Sequence, residues 1–182
     1  MLSFTTNQVP RIVSGPGRSA ELGAIVAGLA GEGACVLLVA DNGLGALGLT
    51  SHVAEALKSG GHRVITHDAI LSDPKEPCIV AAVEEARTKG VEAVVCLGGG
   101  SALDAGKLIA AMIGAKGRLE DYRLAANALP VARVPLVCVP TTAGTGSEAT
   151  AVSVISDAAG TKYWYWAPAL KPDVALLDAR LT

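Results

Sequence analysis

Hydrophobic positions follow two alternating patterns along this chain. Residues 35–40 and 91–97 are largely apolar and are bounded by turn residues, which is typical of parallel strands buried on both faces of a sheet. Residues 49–59 and 102–113 instead carry apolar side chains at helical spacing. The alternation therefore predicts strands that are each followed by a helix.

The remaining elements follow from the same patterns. Further strands are predicted at residues 8–14, 63–66 and 135–139, extended segments at 150–155, 162–166 and 174–177, and helices at 22–29 and from the loop 72–77 through residue 89. This order predicts an α/β fold, with an open, mostly parallel twisted sheet, helices on both faces and a Rossmann-like arrangement. Ligands then bind at the carboxyl ends of the strands. A length of 182 residues favours one domain over two.

Composition and charge exclude several partners. The formal net charge of −2 and the lack of a Lys/Arg cluster argue against nucleic acid. No apolar stretch approaches the ~20 residues that span a membrane, and the N-terminus lacks a signal-peptide pattern, so we expect a cytoplasmic protein. The four cysteines, which are Cys35, Cys78, Cys96 and Cys138, form no CxxC pair, and we interpret them as reduced core thiols.

A glycine turn between a strand and a helix is the first candidate site. In GGGSALDAGK, residues 98–107, Gly98, Gly99 and Gly100 allow an anion to approach the backbone at the positive end of the helix dipole. The alternative is plain helix initiation, with Ser101 as the N-cap and Asp104 completing a capping box. The letters match neither a Walker P-loop nor the Rossmann GxGxxG fingerprint.

Asp41 is the second candidate, because it ends the apolar strand at residues 35–40. A carboxylate there would accept hydrogen bonds from a ribose and repel a 2′-phosphate, which favours NAD over NADP. The alternative is a turn aspartate that caps the bend at Asn42-Gly43.

A hydroxyl-rich loop, residues 140–148, follows the strand at 135–139. Its hydroxyls and glycines suit ligand contact at the carboxyl edge of the sheet, although Thr145 and Glu148 could instead be a capping pair. The histidines, His52, His62 and His67, lack the spacing of metal ligands, and we expect each at the surface or in a loop.

Taken together, GGGSALDAGK, the later PTTAGTGSEAT and the final PDVALLD are very similar to the N-terminal domain of the iron-containing (group III) alcohol dehydrogenases. The resemblance implies the N-terminal domain of a dehydroquinate synthase-like fold, with residues 1–182 forming the dinucleotide-binding domain. It also implies that NAD-dependent hydride transfer to or from a small alcohol or aldehyde occurs beside a metal, iron or zinc.

The resemblance assigns roles to individual positions. Gly98, Gly99, Gly100 and Ser101 would cradle the pyrophosphate, with Asp104 beside them, and Asp41 would bind the adenosine ribose. The cofactor groove would be lined by Thr141, Thr142, Thr145 and Thr150, and Lys162 would approach the nicotinamide ribose.

The same resemblance places the metal ligands, one aspartate and three histidines, in a helical domain that is absent from these 182 residues. We therefore expect no catalytic or metal-binding residue here, weak or no activity of this chain alone, and self-association into a homo-oligomer through the apolar surface left uncovered. Two alternatives stay open: a stand-alone nucleotide-binding or oligomerising module without redox activity, and the glycerol dehydrogenase or dehydroquinate synthase branch.

Overall fold

A six-stranded parallel sheet forms the centre of the computed structural model, which describes residues 10–182. Its strands are β1 (Arg11–Ser14), β2 (Cys35–Asp41), β3 (Arg63–Ile70), β4 (Ala93–Gly98), β5 (Leu136–Pro140) and β8 (Val174–Leu177). An antiparallel hairpin is formed by β6 (Val152–Ser156) and β7 (Lys162–Trp166). The helices are α1 (Leu22–Ala30), α2 (Leu49–Ser59), α3 (Glu76–Thr88) and α4 (Gly100–Ile113). Short 3-10 turns occupy Arg18–Glu21, Leu119–Ala125, Ser147–Ala149 and Pro168–Leu170.

The predicted fold class is confirmed, and the errors lie at element ends. The third strand continues to Ile70, four residues beyond its predicted end, and the fourth helix begins at Gly100 and not at residue 102. Residues 8 and 9 of the first predicted strand lie outside the described residues.

Alternate side chains of the central strands enter two separate cores. On β2, Cys35, Leu37 and Val39 pack towards α3 and α4. Their neighbours Val36 and Leu38, with Ala40, pack towards α1 and α2. Burial on both faces explains why this strand has no polar positions before Asp41.

The strand order is β1-β8-β5-β4-β2-β3. All six strands are parallel, but the direction in which successive strands are added to the sheet reverses between β2 and β4. After β2 the chain goes to β3 on one side, whereas after β4 it goes to β5 on the other side. The connections that leave these two neighbouring strands therefore diverge, which opens a crevice at their carboxyl ends, where α/β sheets of this type bind ligands.

The β6–β7 hairpin packs against α4 with one face and leaves the other face exposed. Tyr165 is fully buried, whereas Trp164 and Trp166 are each about half exposed. The predicted extended segment at 162–166 therefore forms a strand that packs on a neighbour through Tyr165.

Two residue-level predictions need correction. Cys78 is exposed on α3, so only Cys35, Cys96 and Cys138 are core thiols, and all four are free. His62 lies in a connection, as predicted, but it is buried, because its Nε2 bonds the carbonyl oxygen of Gly23 at 2.9 Å. Within residues 10–182, no helix is long and apolar enough to cross a membrane.

Candidate functional site

The glycine turn joins β4 to α4 at the crevice. Gly98 has a φ of 144°, a value that favours glycine, and Gly99 is extended before α4 begins at Gly100. Among the described residues no side chain caps this helix, so the predicted capping box of Ser101 and Asp104 is wrong. The amides of the first turn of α4 therefore lack side-chain acceptors and point into the crevice.

Asp41 contacts the glycine turn directly. Its Oδ2 accepts a hydrogen bond from the Gly99 amide at 2.7 Å, and a Cβ added to Gly98 would lie 2.3 Å from the same oxygen. Burial raises the pKa of the Asp41 carboxyl, and the Gly99 hydrogen bond opposes that rise. The carboxylate thus bonds the turn and does not cap the bend at Asn42-Gly43.

The threonine loop, residues 141–149, runs alongside the turn, with Thr142 next to Gly99 and Thr145 next to Gly100. The Thr141 amide donates to the Gly98 carbonyl at 3.0 Å. A Cβ added to Gly100 would lie 2.7 Å from the Thr145 methyl carbon, and one added to Gly99 would lie 3.7 Å from Thr142. The absence of side chains at the turn is therefore what allows this loop to approach it. Thr145 also accepts a hydrogen bond from the Ser147 amide at 3.2 Å, but Gly146 is the N-cap of the following 3-10 turn and no side chain of the described residues caps it, so Thr145 and Glu148 do not form a capping pair.

Asp104 lies beside the turn, as predicted, but its carboxylate is already engaged by the protein. The Ser147 hydroxyl donates to Oδ1 at 2.5 Å and the Val154 amide donates to Oδ2 at 2.9 Å. The side chain is 16% exposed. Asp104 thus connects α4 to the threonine loop and to the hairpin.

Lys107 is a buried charged residue that the sequence analysis did not single out. Its side chain has no solvent exposure, and its Nζ donates to Ser147 Oγ at 2.7 Å, to Thr150 Oγ1 at 3.1 Å and to the Val152 carbonyl at 2.5 Å. Burial lowers the pKa of this ammonium, and the Asp104 carboxylate, 3.5 Å away, counteracts that shift. A lysine within a mostly apolar helical stretch was the only signal available in the sequence.

A cleft of about 560 Å³ opens next to the turn. Of the predicted residues, its walls contain Gly100, Ser101, Asp104, Thr145, Thr150 and Lys162. Asp41 and the pair Thr141 and Thr142 are outside these walls, on the opposite side of the turn. All eleven predicted residues therefore lie at one edge of the sheet, divided by the glycine turn into an Asp41 side and a cleft side.

Asp73 is a further cleft residue that was not predicted. Its carboxylate accepts hydrogen bonds from Lys75 at 2.8 Å and from buried Ser156 at 2.6 Å, and it lies 3.5 Å from the Lys162 ammonium. The hydrogen bonds from Lys75 and Ser156 lower the pKa of Asp73 to about 2. Lys162 therefore faces a carboxylate that stays ionised.

A larger cavity, of about 910 Å³, lies between α3 and residues 116–123. It contains none of the predicted site residues. Of these two cavities in residues 10–182, we take the smaller cleft as the candidate site, because it lies where the switch point of the sheet and the uncapped start of α4 meet.

No cluster of three or more histidine, cysteine or carboxylate side chains within residues 10–182 has the arrangement of a metal site. The described residues therefore do not fit an iron or zinc ion.

These features define a doubly wound α/β domain with an uncapped glycine turn at its switch point. Comparison with known families then identifies the chain. The model of the iron-containing alcohol dehydrogenases matches residues 10–179, and the chain belongs to this family.

Named relatives agree with this assignment. The chain is 32% identical to the sulfoacetaldehyde reductase of Bilophila wadsworthia, with 100% of the chain and 46% of the relative covered. It is 32% identical to the NAD-dependent methanol dehydrogenase of Bacillus methanolicus, with 94% and 45% covered. The crystal structure of the sulfoacetaldehyde reductase from Bifidobacterium kashiwanohense in complex with NAD+ superposes with a TM-score of 0.91 at 30% identity, covering 100% of this chain and 48% of that one. The chain spans about half the length of these relatives.

Proposed function

We propose that this chain is the NAD(H)-binding half of an oxidoreductase that acts on a small alcohol or aldehyde. The contact between Asp41 and the Gly99 amide is the observation that carries the proposal, because it places a carboxylate beside an uncapped helix N-terminus. Family membership and a relative with bound NAD+ support the choice of ligand.

The arrangement gives each part of a dinucleotide a partner of suitable chemistry. The pyrophosphate would lie on the free amides at the start of α4, where no Cβ at Gly99 blocks its approach. The adenosine ribose would hydrogen-bond Asp41, whose negative charge disfavours the 2′-phosphate of NADP. The nicotinamide half would extend into the cleft, towards Thr145, Thr150 and Lys162.

In this proposal the bound nicotinamide supplies the hydride donor or acceptor, and the residues of the chain bind and orient it. Lys162 is held by Asp73 at the mouth of the cleft, where its ammonium would hydrogen-bond ribose hydroxyls. Because the described residues do not fit a metal ion, we derive no step of the reaction through iron or zinc. We propose instead that a metal-binding helical half belongs to the remainder of a longer protein and completes the reaction site.

Three further properties belong to the same proposal. Without the other half the cleft stays open to water, so we expect slow turnover or none from residues 1–182 alone. Exposed apolar side chains such as Leu47, Leu71 and Trp166 favour self-association into a homo-oligomer. Four free thiols are consistent with a reducing compartment, and we propose the cytoplasm.

The test is the substitution Asp41→Gly, with NADH and NADPH titrated separately by nucleotide fluorescence. The wild-type chain should bind NADH more tightly, and the variant should shift the ratio of the two dissociation constants towards NADPH by about tenfold. Asp68→Gly, at an exposed aspartate of the adjacent strand β3, is the matched control and should leave the ratio unchanged. If the ratio of the two dissociation constants is as unchanged in Asp41→Gly as in Asp68→Gly, the result would argue for a nucleotide-binding or oligomerising module without redox activity.

A further inference from the structure

The ammonium of Lys107 donates hydrogen bonds to one short segment of the chain, residues 147–152. An ammonium has three N–H donors, and here the three nearest acceptors, Ser147, Thr150 and Val152, all lie between the end of the threonine loop and the start of β6. The remaining charge is balanced by Asp104 on the same helix. Lys107 therefore fastens residues 147–152 to α4 through three separate bonds.

The exposed middle of the threonine loop has few anchors of its own. Thr142, Ala143, Gly144 and Thr145 are exposed. On one side of this stretch the Thr141 amide is tied to β4, and on the other side Ser147 is buried against Lys107 and Asp104. The Ser147 amide in turn bonds the Thr145 hydroxyl, so the position of Thr145 depends on the position of Ser147.

If position 107 served only to fill the core, an apolar side chain would do so at a lower cost in free energy. Burying an ammonium costs desolvation free energy that its hydrogen bonds and ion pair offset only in part. An apolar residue of similar volume often stabilises a protein core equally well. What an apolar residue does not supply is three donors at one point. The three hydrogen bonds of Lys107 therefore act to fix the conformation of residues 147–152, and not merely to fill the core.

We infer that Lys107 is a positioning residue of the cofactor cleft, which holds residues 147–152 so that Thr145 stays against the glycine turn. The inference rests on the proposed function, because it places the nicotinamide half of the dinucleotide on this side of the turn. Lys107 itself has no exposed surface and acts only through the loop. Asp41 lies on the other side, so the adenosine half does not depend on Lys107.

The experiment compares NADH with AMP, which lacks the nicotinamide half, as probes of the same chain. Calorimetric titration of the Lys107→Met variant should show NADH binding weakened about tenfold, the cost of losing hydrogen bonds from a charged donor, and AMP binding nearly unchanged. Ser147→Ala removes the loop partner without burying a new charge, and the same selective loss is expected. If Lys107→Met does not fold, the NADH and AMP affinities of Ser147→Ala alone test the inference.

Ile109→Ala is the matched control, since it truncates a fully buried apolar side chain of the same helix that takes no part in the hydrogen bonds to the loop. It should lower the unfolding midpoint and leave both affinities unchanged. The inference is overturned if Ser147→Ala or a folded Lys107→Met binds NADH as the wild type does, or if both probes weaken equally. Failure of the wild-type chain to bind NADH would instead overturn the proposed function.

Discussion

The carboxylate of Asp41 is joined to the backbone of Gly99 by a hydrogen bond of 2.7 Å, although the two residues are 58 positions apart in sequence. The bond links the carboxyl ends of β2 and β4, the two strands between which the sheet order reverses. Shaping of the glycine turn and recognition of a ribose would therefore depend on the same side chain. A substitution at Gly100, which has an ordinary helical backbone, should consequently affect binding more than stability.

Gly100→Ala tests this separation of binding from stability. Alanine suits the first position of a helix, but its Cβ would lie 2.7 Å from Thr145, which must then move away from the turn. We expect NADH affinity to fall about tenfold, while the free energy of unfolding changes by less than about 1 kcal/mol. Fluorescence titration and urea unfolding measure the two quantities. An unchanged affinity would mean that Thr145 plays no part in the cleft.

Glu76→Gln should weaken a buried polar network at a distance from the cleft. Glu76 pairs through both oxygens with Arg123 and accepts a hydrogen bond from Tyr165 at 2.5 Å, and Arg123 also lies over the Tyr163 ring. Replacing one carboxylate oxygen by an NH₂ group opposes the Arg123 donors. We expect a loss of about 2 kcal/mol in unfolding free energy, since breaking one partner of a buried pair is costly.

Glu84→Gln provides the comparison for that substitution. Glu84 and Arg87 form an exposed pair, with side chains 64% and 34% exposed, so the free energy should change by less than about 0.5 kcal/mol. Urea denaturation of both variants gives the two values. Similar losses in both variants would contradict the importance of burial at Glu76.

Asp73→Asn should reduce stability in a pH-dependent way. Asparagine tolerates the φ of 60° at this position, so the substitution mainly removes charge. Because the pKa of Asp73 falls to about 2 in the folded protein from an ordinary 3.8, its contribution is complete above the unfolded pKa and is lost as the pH falls through the folded pKa. The urea midpoints of wild type and variant should therefore differ at pH 7 and converge as the pH falls from about 4 towards 2. A difference that does not vary with pH would exclude the charge as its cause.

Thiol labelling tests whether Cys78 is the exposed cysteine of the chain. A thiol reagent should modify one cysteine rapidly in the folded chain and four after denaturation, because Cys35, Cys96 and Cys138 are buried. Burial also raises the pKa of Cys35 and of Cys96, which lowers their thiolate fraction. In Cys78→Ser the rapid phase should disappear, and its persistence would show that a core thiol is reactive.

The local pattern was sufficient to predict the central strands, because strands buried on both faces leave continuous apolar runs such as residues 35–40. The glycine turn and Asp41 were likewise predictable, since both stand where such runs end. The partners of these residues were not. The capping box failed because helix α4 begins one residue before Ser101, while Asp104 bonds Ser147 and Val154, which are more than 40 positions away. Lys107 was missed for the same reason, since its acceptors come together only in the folded chain.

The pairing of β1 with β8 has a consequence for how the molecule is made. Residues 11–14 of β1 align with residues 174–177 of β8, and β8 also joins β5. Contacts between such distant segments form slowly, because closing a long loop costs entropy before any pairing is gained. During synthesis β1 is made before the other strands of the sheet, whereas its neighbour β8 is made after all of them. The core around β2, β3 and β4 can assemble well before that, so the β1 edge is the last part of this sheet to be completed.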